Sequence, residues 1–104
     1  MEIESWIESN AVFGLKLPDG WCGRPYDNQH RLTWIAERDN KLILEFDNQM
    51  YLTFTKPIQL KVSDSEFIVD DFQQLTFDWQ GYGDVKAHSK VYKSGSVSLV
   101  SLVR

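Results

Sequence analysis

Strict alternation of apolar and polar residues over positions 41–55 constrains the fold of this chain more than any other feature. Every second residue is apolar in two successive segments, namely Leu42, Leu44 and Phe46, then Met50, Leu52 and Phe54. Alternation places all the apolar side chains of a strand on one face. Asp47-Asn48-Gln49 separates the segments and is typical of a chain reversal. The pattern therefore predicts a β-hairpin with one buried face.

The same alternation recurs along most of the chain, between short turn signals. Pro18-Asp19-Gly20, Asp39-Asn40 and Ser63-Asp64-Ser65 are typical turns, and Pro57 is expected to mark the boundary of a strand. Seven to nine short strands at this spacing indicate an antiparallel β-sandwich or a small β-barrel. We therefore predict an all-β fold, formed as a single β domain over residues 1–104.

The N-terminal segment 2–9 is the ambiguous part of the fold prediction. Ile3, Trp6 and Ile7 fit one face of a helix, but the segment is only about two turns long. We expect a strand here. The alternative is an α+β fold with a short N-terminal helix.

Aromatic residues are abundant, with four Trp, four Tyr and six Phe among 104 residues. Their positions in the apolar–polar alternation predict that most of them face the core, including Phe46, Phe54, Phe77, Trp34 and Trp79. Trp34 shares its alternation with Leu32 and Ala36. Trp21, Tyr26 and Tyr82 are different because they lie in predicted loops, where strand parity does not bury them.

Charge and composition exclude several classes of function. The net charge is −4 and the eleven Lys and Arg residues are scattered, so we expect no nucleic-acid binding. No apolar stretch approaches the length of a membrane span, so we expect no membrane insertion. The acidic N-terminus lacks the features of a secretory signal, and Cys22 is the only cysteine, which together predict a cytoplasmic location.

Two loops are the candidate sites. The first, residues 18–31, contains Trp21, Arg24, Tyr26, Asp27 and His30, where Arg24 is suited to pairing with an anion and Tyr26 to stacking. The second, residues 80–84, contains Tyr82 and Asp84. The first loop also allows a catalytic pair of Cys22 and His30, with Asp27 or Asn28 orienting the imidazole ring.

No catalytic, nucleotide or metal motif accompanies these residues, and we expect no cofactor and no metal site. The leading hypothesis is a small non-enzymatic domain that recognises a protein partner, or itself as a homo-oligomer, through an exposed strand edge or the Trp21/Tyr26 loop. One alternative is a module that binds a small polar ligand or carbohydrate. A second alternative is an enzyme that uses Cys22 and His30.

Overall fold

A computed structural model of the chain describes residues 2–21, 29–79 and 88–102, with the side chains of Glu2, Trp21 and His88 excepted. One helix precedes the strands: α1 Glu2–Ser9, β1 Phe13–Leu17, β2 Gly20–Trp21, β3 Leu32–Arg38, β4 Lys41–Phe46, β5 Met50–Thr55, β6 Gln59–Val62, β7 Glu66–Asp70, β8 Gln74–Trp79, β9 His88–Tyr92 and β10 Ser96–Ser101.

The strands form two five-stranded antiparallel sheets. Sheet 1 has the order β2-β1-β10-β7-β6, and sheet 2 has the order β3-β4-β5-β8-β9. Nine of the described strands have four or more residues, and β2 has two. The predicted all-β fold is therefore confirmed, and its two separate sheets make it a sandwich.

The core lies between the two sheets and contains the residues that alternation predicted. Leu44, Phe46, Leu52 and Phe54 have no exposed surface, and Leu42 and Met50 are almost fully buried. Across the interior, the rings of Phe13 in sheet 1 and Phe46 in sheet 2 meet edge to face, with 5.7 Å between their centroids. Such contacts between the sheets hold them face to face.

The tight turns of sheet 2 depend on Asp and Asn. Asp39 and Asn40 both have positive φ and connect β3 to β4 in a two-residue turn, and Asp47 and Asn48 have the same conformation between β4 and β5. Asp and Asn tolerate this left-handed region better than other residues with side chains. The predicted reversals at both positions are confirmed. The predicted boundary at Pro57 is also confirmed, because it lies between β5 and β6.

The expected strand at the N-terminus was wrong, because residues 2–9 form the helix α1. Ile3 and Trp6 are buried, and the Trp6 ring lies 6.0 Å from Phe13 and 6.2 Å from Phe67. The indole Nε1 of Trp6 also donates a hydrogen bond to the carbonyl oxygen of Ser63 at 2.9 Å. A helix of two turns is unstable in isolation, so these tertiary contacts decide its conformation.

The predicted inward orientation of Trp34 was also wrong. The pairing of β3 with β4 shifts register between Leu32 and Trp34, so that Leu32 lies opposite Phe46 but Trp34 lies opposite Glu45. This β-bulge turns Trp34 to the outer face of sheet 2, where 43% of it is exposed. Ile35 takes the inward position opposite Leu44 and packs against the core.

The first candidate loop, predicted over residues 18–31, contains a short strand that the sequence did not predict, because Gly20–Trp21 pairs with the end of β1 as the strand β2. Pro18 and Asp19 form the turn of this small hairpin. Pro18 packs closely on Gly95, which has a φ of +123°, and a Cβ atom at Gly95 would lie 2.7 Å from the Cβ of Pro18. Glycine is therefore required at position 95 by both conformation and space.

Candidate functional site

The structure describes part of the first predicted loop, and the second loop, residues 80–84, lies outside the described residues. Among the predicted site residues, His30 is described completely and Trp21 by its backbone in β2. Arg24, Tyr26, Asp27, Tyr82 and Asp84 lie outside the described residues, as do Cys22 and Asn28. Their proposed roles remain predictions.

The strand residues that flank the two loops can nevertheless be located relative to one another from the strand register. Leu32, which follows His30, lies opposite Phe46, and Phe46 lies opposite Met50. Met50 in turn lies opposite Trp79, the last residue before the second loop. Successive partners share one level of a sheet, so the chain enters β3 and leaves β8 at the same end of sheet 2.

His30 is fixed at this end by Asp47, which the sequence predicted as a turn residue but not as a partner of His30. The imidazole Nδ1 lies 2.7 Å from Oδ2 of Asp47, and the other carboxylate oxygen accepts a hydrogen bond from the backbone N–H of Arg31 at 3.0 Å. The carboxylate accepts, so Nδ1 carries the proton. His30 is 7% exposed, and its backbone pairs with Phe13 of sheet 1. This arrangement joins the two sheets and orients the ring.

A second polar cluster joins the sheets at the other end. The carboxylate of Asp19 accepts hydrogen bonds from the ammonium group of Lys90 and from the Tyr92 hydroxyl, the latter at 3.0 Å. The hydrogen bond from Lys90 lowers the pKa of Asp19 below its usual value, and the same bond raises the pKa of Lys90. Burial and the Asp19 bond raise the pKa of Tyr92. These groups satisfy one another, so the cluster serves to tie the β1–β2 turn to the edge strand β9.

The outer face of sheet 2 is the most distinctive surface of the described residues. Its middle row crosses all five strands without a charge: Ala36, Ile43, Thr53, Thr76 and Val91 are successive cross-strand partners. Val91 is 52% exposed. A surface with an uncharged centre is characteristic of a protein interface, in which charged residues are depleted at the core and enriched at the rim.

The two neighbouring rows of this face differ in charge. One row carries aromatic and acidic residues: Trp34, Glu45, Tyr51, Asp78 and Ser89. The row on the other side begins with Arg38 and Lys41 and continues through Thr55 and Gln74. The uncharged middle row is therefore bordered by carboxylates on one side and by cations on the other.

Glu45 organises the aromatic row through hydrogen bonds on the surface. Its carboxylate accepts a hydrogen bond from the Thr33 hydroxyl at 2.8 Å, and Thr33 in turn accepts one from the backbone N–H of Asn48 at 3.1 Å. A hydrogen bond to Glu45 raises the pKa of Tyr51 above its usual value, with smaller contributions from burial and the Glu45 charge. Thr33, Trp34, Glu45 and Tyr51 line a shallow, open depression.

The outer face of sheet 1 lacks this organisation. Its central row runs from Trp21 of β2 through Lys16, Ser98 and Ile68 to Lys61, so that two lysines interrupt or end the row. Among the described residues, four large apolar side chains are exposed, and two of them, Trp34 and Val91, lie on the outer face of sheet 2. The outer face of sheet 2 is therefore the better candidate for a binding surface.

The cleft between α1 and β6 is a weaker candidate. It is lined by Trp6, Asn10, Val62 and Ser63, among others. The polar atoms of the buried residues are already bonded: Asn10 donates from Nδ2 to the carbonyl oxygen of Trp6 and accepts from the Ser101 hydroxyl. These bonds fasten the helix to the sheets, which is a structural role.

The described residues also lack two other kinds of site. No group of three or more His, Cys, Asp or Glu residues is placed to hold a metal ion within residues 2–21, 29–79 and 88–102. In the same ranges, no helix has the length and apolar character needed to cross a membrane.

The fold and its surface define this chain as a small antiparallel β-sandwich with a capping N-terminal helix and an aromatic outer face. Comparison with protein-family models, with curated proteins and with solved structures finds no match. The function must therefore be inferred from the chemistry of the site.

Proposed function

We propose that this domain is a non-catalytic interaction module that binds a protein through the outer face of sheet 2. The uncharged row across all five strands carries the proposal. Backbone hydrogen bonds within the sheet hold this row rigid, so little conformational entropy is lost when a partner covers it. Trp34 lies beside the row, and 43% of its surface is exposed. Tryptophan is enriched among the hot-spot residues that contribute most of the binding energy of an interface.

A matched pair of charge insertions tests the proposal. Thr53 lies on the central strand of sheet 2 and Ser98 on the central strand of sheet 1, and both side chains are directed outward. The immobilised domain is used to capture proteins from cell lysate, with Thr53→Lys as the test variant and Ser98→Lys as the control. We expect a captured partner to be lost with Thr53→Lys and retained with Ser98→Lys, because a desolvated lysine in the interface is costly.

The capture experiment also tests the loop hypothesis. In a Trp21→Ala/Tyr26→Ala variant the outer face of sheet 2 is unchanged, so we expect capture to persist. Loss of the partner with this variant alone would transfer the site to the first loop. Equal capture by all variants would contradict the proposal for the sheet 2 face.

A small polar ligand, such as a carbohydrate, is the second candidate, favoured by the depression beside Trp34. An aromatic ring next to hydroxyl and carboxylate groups suits the apolar and polar edges of a sugar. It ranks second because the depression is shallow and open, whereas small-ligand sites are concave and bury most of the ligand. A thermal-shift screen of the domain and of Trp34→Ala against a sugar panel tests it. At about 100 times Kd, a ligand is expected to raise the midpoint on the order of ten degrees.

A further inference from the structure

We infer that the partner bound by the outer face of sheet 2 is a second copy of this chain, arranged by a two-fold axis that runs along the middle row. This inference rests on the proposed function and names the occupant of the same surface. Two features of the face support a second copy: the arrangement of charge on the two sides of the middle row, and the contacts that a two-fold axis along this row would create.

The charges of this face balance although the chain as a whole is acidic. The aromatic row carries Glu45 and Asp78, and the opposite row carries Arg38 and Lys41. The net charge of these positions is zero, whereas that of the chain is −4. Two copies can therefore approach through this face without the electrostatic repulsion expected between their other surfaces.

A two-fold axis along the middle row brings opposite charges together. Rotation about this axis keeps each strand over the same strand of the second copy but exchanges the rows on either side. Glu45 then faces Lys41 of the second copy, and the reciprocal contact follows by symmetry. Trp34 likewise faces Arg38 of the second copy, a combination that permits stacking of guanidinium on indole. The face is thus complementary to itself, as an isologous interface requires.

These charges are not paired across the rows within one copy. Glu45 and Lys41 are four positions apart on one extended strand, a distance of about 13 Å. Among the described residues, neither Arg38 nor Lys41 takes part in an ion pair. Both cations are therefore available to the acidic row of a second copy.

The size of the face sets the expected affinity. Strands of six residues and five strands across give a footprint of roughly 20 by 24 Å, or about 480 Å² per copy. This is smaller than the roughly 800 Å² per partner of a standard interface, so we expect a weak dimer, with a dissociation constant on the order of 100 µM.

Exchange of charge between positions 45 and 41 tests both the dimer and its register. Sedimentation velocity is measured over a protein concentration range from 10 µM to about 1 mM, an interval that spans the affinity expected for a small interface. Glu45→Lys and Lys41→Glu each place like charges opposite one another in a self-pair, so each variant is expected to dimerise about tenfold more weakly than the native chain. Circular dichroism establishes that both variants are folded.

Mixing the two single variants is the decisive step. In a mixed pair, both contacts between positions 45 and 41 join opposite charges, so the mixture is expected to associate about tenfold more tightly than either variant separately. The double variant Glu45→Lys/Lys41→Glu is expected to recover self-association. Ser98→Lys, on the outer face of sheet 1, is expected to sediment as the native chain does.

Two results would overturn the inference. A native chain that stays monomeric to about 1 mM would exclude the dimer expected from a face of this size. Dimerisation without rescue in the mixture would exclude the proposed axis. Neither result refutes the proposed function, because a different protein partner would still be lost with Thr53→Lys and retained with Ser98→Lys in the capture experiment. Insensitivity of both capture and dimerisation to Thr53→Lys would refute both.

Discussion

Truncation of two tryptophans, Trp34→Ala and Trp6→Ala, tests the β-bulge that exposes the proposed binding face. Both residues are Trp, but 43% of Trp34 is exposed compared with 6% of Trp6. A fully buried Trp removes roughly 250 Å² from water, so Trp6 covers about 90 Å² more than Trp34 does. At about 25 cal/mol per Å², this difference is worth about 2 kcal/mol.

Both variants refer to the same unfolded chain and the same new side chain, so the difference between their losses of stability reports the difference in buried area between the two tryptophans. Truncation of Trp6 also leaves a cavity and breaks its bond to Ser63. We therefore expect Trp6→Ala to lower the free energy of unfolding by about 3–5 kcal/mol and Trp34→Ala by about 1–2 kcal/mol.

Urea denaturation followed by far-UV circular dichroism measures both values without relying on tryptophan fluorescence. Protein at about 1 µM, far below the dissociation constant expected for a small interface, keeps self-association from contributing to the result. Equal losses for the two variants would refute the bulge, because a Trp34 that followed simple alternation from Leu32 would be as buried as Trp6. A loss confined to Trp6→Ala would also establish that Trp34 variants remain folded enough for binding experiments.

Three further predictions follow from local geometry and chemistry. The hydrogen bond to Glu45 stabilises the neutral phenol of Tyr51, so the pKa of Tyr51 lies above 10.0. The bond therefore stabilises the folded state below the ordinary pKa of tyrosine, and this contribution is lost as the pH rises through the raised pKa. Glu45→Gln is expected to return the pKa towards 10, as measured by NMR of labelled tyrosine. Gly95→Ala is expected to destabilise by roughly 1–3 kcal/mol and by more than Gly20→Ala, since both glycines have positive φ but only position 20 has open space around its Cβ. Equal effects in denaturation would contradict the close approach at position 95. Cys22 is expected to react with iodoacetamide at pH 6 no faster than an ordinary thiol, and a much faster rate would instead support the enzyme hypothesis.

Most of the strands and turns could be predicted from the sequence, because their signals are local. Alternation from Leu42 to Phe54 identified buried residues correctly, since a strand with one buried face requires a period of two. Asx turns were recognisable for a similar reason, as few residues tolerate positive φ. β9 lies at the edge of sheet 2, and its Lys90 is of a residue type that is typical of edge strands.

Errors occurred where two local patterns competed. Residues 2–9 satisfy a helical face, yet a helix so short depends on contacts with Phe13 and Phe67 that only the folded chain supplies. Around Trp34, apolar side chains occupy both strand phases, with Leu32 and Trp34 in one and Ile35 in the other. The local sequence does not decide which of the two sets of side chains faces the core. The pairing of β3 with β4 decides it, because a bulge between Leu32 and Trp34 turns Ile35 inward.

Local patterns in the amino-acid sequence are therefore enough to specify short strands with one apolar face, joined by turns of Asp, Asn, Pro and Gly. The tertiary structure decided which residues meet. His30 is oriented by Asp47, seventeen positions away, and the uncharged row of sheet 2 joins Ala36 to Val91 through four strand pairings. Alternation and turn preferences act over a few residues and can therefore be recognised in the sequence. The register between strands is set by burial of side chains from distant segments, so only the folded chain reveals it.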